Sequence, residues 1–121
     1  MPQLRLLALA LAGALPFAVH AERINDFPTV ERVLYVQECM RTSGGPAFEM
    51  ISKCSCALDT VAREVSYDDY VSMSTIVNAI SIGGERGSEM RDNETLKPQI
   101  ARYRQLQAKA KAACFINPAP R

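Results

Sequence analysis

Apolar residues recur every third or fourth position in four stretches of the chain, and the breaks between them carry residues that stop helices. The first stretch runs from Thr29, a candidate N-cap, to Arg41, with Val30, Val33, Leu34 and Met40 at helical spacing. Ser43-Gly44-Gly45-Pro46 then breaks it. A glycine supplies the left-handed C-terminal position, and Pro46 suits the first turn of the next helix, where a missing N–H costs nothing. A second helix spans Ala47 to Glu64, with Ile51, Cys54, Leu58 and Val61 on its apolar face and Val65 continuing the pattern.

The third helix has the sharpest boundary. Ser66 is the N-cap, Asp69 three residues later completes a capping box, and Val65 is placed to pack on Tyr70 as a hydrophobic staple. Tyr70, Met73, Ile76, Val77 and Ile80 form its stripe, and Gly83-Gly84 stops it. The segment Gly83 to Thr95 is glycine-rich and charged, which predicts a solvated connector. It lacks the preceding strand and terminal Lys-Ser/Thr of a phosphate loop, and Asp92, Asn93 and Glu94 lack the spacing of an EF-hand. The last helix runs from Leu96 to Phe115 and accommodates Pro98 in its first turn. Leu96, Ile100, Tyr103, Gln107, Ala110 and Cys114 draw one seam along it, and Asn117-Pro118 ends it. With no strand alternation, the expected fold is all-α: a small four-helix, disulfide-stabilised bundle.

The N-terminal residues change the functional picture. Arg5, the apolar run Leu6 to Leu15, Pro16 and Val19-His20-Ala21 read as a signal peptide, residues 1–21, cut after Ala21. The apolar run is about half the length needed to cross a bilayer, so stable membrane insertion is not expected. Residues 22–121 then form a single helical domain in a periplasmic or secreted setting. Cleavage also removes His20, the single histidine. No imidazole remains for acid–base catalysis, nucleophile activation, haem ligation or a mixed Cys/His zinc site. Asp68 and Asp69 are explained by capping and the helix dipole. The mature domain is therefore expected to be non-enzymatic, without catalytic residues, cofactor or metal.

Four cysteines, Cys39, Cys54, Cys56 and Cys114, lie in the mature part, and an even count in a small exported chain favours two disulfides. A helix turns by about 100° per residue, so Cys54 and Cys56 point to opposite sides and need separate partners. Of the three pairings, spacing across the Ser43–Pro46 hairpin favours Cys39 with Cys54 and leaves Cys56 with Cys114. The second bridge would lay the final helix on the polar side of the second, near Asp59. The rival reading is thiol–disulfide exchange or metal handling through the Cys54/Cys56 pair. Lys53 is adjacent, but a mid-helix position brings no dipole assistance to a thiolate, and opposed thiols do not converge on one metal.

Charge is segregated. From Thr95 onward there are six basic residues and no acid, whereas residues 22–94 carry 13 acids against seven bases, a net of −6. The simpler account is a basic helix packed beside acidic helices of its own domain. The sharper one is an acidic periplasmic protein partner that docks on Lys97, Arg102, Arg104, Lys109 and Lys111. Nucleic acid is not expected, because the chain is exported and that segment offers only Tyr103 and Phe115 for stacking.

The strings YVQECM (Tyr35 to Met40), KCSCALD (Lys53 to Asp59), VSYDDYV (Val65 to Val71) and ACF (Ala113 to Phe115) resemble those of small exported four-cysteine helical proteins of proteobacteria. These are mostly uncharacterised, and some are associated with quinoprotein alcohol dehydrogenase systems. The resemblance covers most of the mature chain. It implies a periplasmic accessory role and brings no catalytic residue with it.

Overall fold

Residues 24–117 are described by the computed structural model, and the expected signal peptide, residues 1–21, lies outside the described residues. Helix α1 spans Thr29–Ser43, α2 Ala47–Glu64, α3 Tyr67–Ile80, α4 Glu85–Asp92 and α5 Lys97–Ala113, with a 3-10 turn at Glu94–Leu96. No strand occurs among the described residues. Among the described residues the all-α expectation holds, and the α-helices there number five rather than four.

Helix α2 is the centre of the fold. It packs against α1 on one side and α5 on the other, α5 carries α3, and α3 carries α4. Cys54, Ala57, Leu58, Val61 and Ala62 are all nearly or wholly removed from water. The two alanines let neighbouring helices approach closely, while each fully buried Leu or Val contributes roughly 1.5–3 kcal/mol. Helix α3 starts where its capping residues place it: the Asp69 N–H donates to Ser66 Oγ at 3.2 Å.

The extra helix lies inside the expected connector. Its residues, Glu85 to Asp92, are almost wholly polar, so no apolar stripe announces it. Tertiary contacts hold it against the end of α3. Arg91 Nη1 donates to the carbonyls of Ile80 at 3.0 Å and Ile82 at 3.1 Å, and the cation suits the negative end of a helix. Gly87 permits the approach, because a Cβ there would stand 1.7 Å from the Ile82 carbonyl oxygen.

Helices α1 and α2 also depart from the sequence expectation. Helix α1 buries Cys39 and leans on Tyr35, Val36 and Met40, whereas Val30, Val33 and Leu34 remain exposed. Its N-cap is Pro28, and Thr29 is already helical without a side-chain cap. Helix α2 leaves Ile51 exposed and buries Met50 instead.

The C-terminus of α5 forms a Schellman arrangement: the Ile116 N–H donates to Lys111 O and the Phe115 N–H to Ala112 O. The left-handed position belongs to Phe115, with φ of 57°. A side chain there costs about 1–2 kcal/mol, partly offset by the extra chain freedom of glycine. Phe115→Gly is therefore expected to raise stability by about 0.5–1 kcal/mol. An unchanged or lowered urea midpoint would show that the exposed ring contributes contacts exceeding that strain.

Candidate functional site

No thiol is free. Cys39 is bonded to Cys54 and Cys56 to Cys114, each with Cα atoms 5.8 Å apart. Helix α2 thus reaches α1 from one side and α5 from the other, and Cys54 and Cys56 are not bonded to each other. The two bridges differ in surroundings. Cys39 and Cys54 are both buried, whereas in the second bridge Cys114 is buried and Cys56 is exposed. Thr60 Oγ1 lies 3.7 Å from Cys114 Sγ and accepts from Arg63 Nη2 at 3.2 Å. Among the described residues no cluster of three or more His, Cys, Asp or Glu is arranged to hold a metal ion.

The basic residues of α5 separate into two flanks. Lys97, Arg104 and Lys111 are seven residues apart and share one side; Arg102 and Lys109 share another, with the buried seam between them. That seam contains Ile100, Leu106, Ala110 and Cys114. Lys109 donates to Glu64 at 2.6 Å and Lys97 to Glu94 at 2.5 Å, both in exposed pairs. Such pairs contribute about 0–1 kcal/mol. The acid beside α5 is therefore Glu64, not Asp59, which accepts from Asn25 Nδ2 at 3.4 Å and lies near α1. Arg102 and Arg104 are exposed and have no ion-pair partner among the described residues.

Several depressions mark the surface, among them two of about 500 and 560 Å³. A cleft of about 500 Å³ between α1, α3 and α5 has a floor of tyrosines: Tyr70 lies 6.1 Å from Tyr35 and 6.0 Å from Tyr103, between ring centroids. Tyr35 donates its hydroxyl proton to Gln107 Oε1 at 2.9 Å. Gln107 Nε2 has no partner among the described residues but is sealed from solvent, so it offers nothing to a ligand in the cleft. Sequence reading placed Tyr70 and Tyr103 in separate apolar stripes. Their meeting with Tyr35 requires three helices to be brought together.

Burial pushes the Tyr35 phenol up to about 12, with the neighbouring Tyr103 adding to the shift and the Gln107 hydrogen bond opposing it. Burial raises Tyr70 still further above the ordinary phenol range. Below pH ~10 neither the folded nor the unfolded chain loses these protons, and their contribution to stability is complete. As pH rises through ~10 the unfolded chain ionises while the folded one holds its protons, so stability falls until the folded phenols titrate. Urea midpoints are expected to drop between pH 9 and 11, with phenolate absorbance appearing together with unfolding. Early titration of Tyr35 and Tyr70 without loss of helicity would contradict this.

The second depression, about 560 Å³, lies between α1 and α2 over Val36, Met40 and Leu58. No protein-family model, curated protein or solved structure matches this chain. Its functional reading therefore rests on its own surfaces and side chains.

Proposed function

We propose that this protein is a non-enzymatic accessory domain of a periplasmic or secreted compartment that binds an acidic partner protein along the Lys97, Arg104 and Lys111 flank of α5. The supporting observation is the charge of that flank. Arg104 has no carboxylate paired with it among the described residues, and Lys111 stands at the rim of the tyrosine cleft. Successive charges lie two helical turns apart, about 10 Å, a spacing that suits a partner helix bearing acids at a seven-residue repeat. Complementary charge of this kind chiefly accelerates association and gives it salt dependence.

Mature protein used as bait in a periplasmic extract from its native host is expected to retain one defined acidic protein at low salt and release it at high salt. Arg104→Glu with Lys111→Glu should abolish retention, while Arg102→Glu on the opposite flank should leave it intact. Retention that ignores salt and both charge reversals would eliminate this assignment.

The exposed half of the Cys56–Cys114 bridge supports a second reading, thiol–disulfide exchange with a partner dithiol. Limiting reductant followed by alkylation is expected to label Cys56 and Cys114 while Cys39 and Cys54 stay bonded. Simultaneous opening of both bridges, only upon unfolding, would remove that reading.

A further inference from the structure

We infer that the α1/α2 face pairs with a second copy of this chain, the Phe48 of each copy entering the groove of the other. Phe48 is 92% exposed, an unusual place for a phenylalanine. It stands three residues before Ile51 and seven before Ser55, both of which line the groove, so it shares their side of α2. Val33 and Ile51 on the groove walls are themselves half exposed, at 50% and 51%. Knob and socket thus lie on the same side of α2. A two-fold interface needs that arrangement, because each copy presents the same patch to the other.

Charge favours a second copy over an acidic partner at this face. The groove carries one cation, Arg32, and one anion, Asp59, so two copies meet there without net repulsion. The basic flanks of α5 would repel their own kind. The face is two helices wide and roughly 25 Å long, which places the buried area near the lower limit for a specific interface, so the pairing is expected at high concentration. This pairing does not depend on the acidic-partner proposal.

Sedimentation of the mature protein over a wide concentration range tests it. The expected result is a monomer–dimer equilibrium, weakened at least tenfold by Phe48→Ala and by Ile51→Asp, and unaffected by Arg104→Glu with Lys111→Glu. Both groove variants alter exposed positions and should retain wild-type circular dichroism and melting. A photo-crosslinker at Ser55 should yield covalent dimers. A monomer at every concentration, a dimer indifferent to Phe48→Ala, or an open series of larger oligomers would each overturn the proposal. So would a monomer that instead binds an apolar helix of another protein through this face.

Discussion

Replacing Cys56 and Cys114 together by alanine is expected to remove about 4 kcal/mol of stability, most of what a domain of this size possesses. The bridge joins residues 58 apart in sequence, so in the unfolded chain it closes a long loop and removes much of its freedom. It also fastens α5 to α2 at the end where Cys114 is buried beside Thr60. The Cys39–Cys54 bridge closes a separation of only 15, and its double alanine variant should lose about 3 kcal/mol. Non-reducing urea titrations of both variants give the comparison directly. A loss under about 1 kcal/mol for the longer loop would show that chain entropy is not the source of its stabilisation. Full reduction of the wild type should largely abolish the helical signal.

Phe27→Ala should cost about 3–5 kcal/mol, as large an effect as removing a disulfide. Phe27 is buried although it precedes the first helix. Its ring meets Tyr67 edge-on with centroids 5.2 Å apart and lies 5.2 Å from Tyr70, so it closes one end of the tyrosine cluster. The backbone around it is fixed from both sides. The Asp26 carboxylate accepts the Tyr67 N–H at 3.1 Å, adding an anion to the start of α3, and the Phe27 N–H donates to Asn25 Oδ1 at 3.0 Å. Thermal unfolding and the near-ultraviolet tyrosine signal should change together in the variant. A midpoint within a degree or two of wild type would mean that this segment is not part of the cooperative unit. Cleavage after Ala21 would leave this anchor in the mature chain.

The parts of this architecture governed by short-range rules were legible without coordinates. Ser66 and Asp69 mark the start of α3 because a cap satisfies donors only two or three residues away. The opposed directions of Cys54 and Cys56 follow from helical rotation alone. The structure bonds Cys54 to Cys39 on α1 and Cys56 to Cys114 at the end of α5. Phe27 was invisible because one aromatic residue in an extended, proline-terminated segment has no period to detect. Helix α4 was hidden for a related reason: it is held by Arg91 reaching carbonyls at and just beyond the end of α3 and by the absence of a side chain at Gly87.

The candidate surfaces divide in the same way. The sequence alone determines an all-helical fold class, four cysteines with a single histidine at His20, and a basic final helix behind an acidic body. Only the tertiary structure separates those bases into two flanks, puts Glu64 rather than Asp59 beside α5, gathers three tyrosines into one cleft and leaves Phe48, Val33 and Ile51 facing water. An amphipathic repeat specifies that a helix has a face, through side-chain directions that each residue carries with it. Which neighbour covers that face depends on packing between residues far apart in the chain, and no local pattern encodes it.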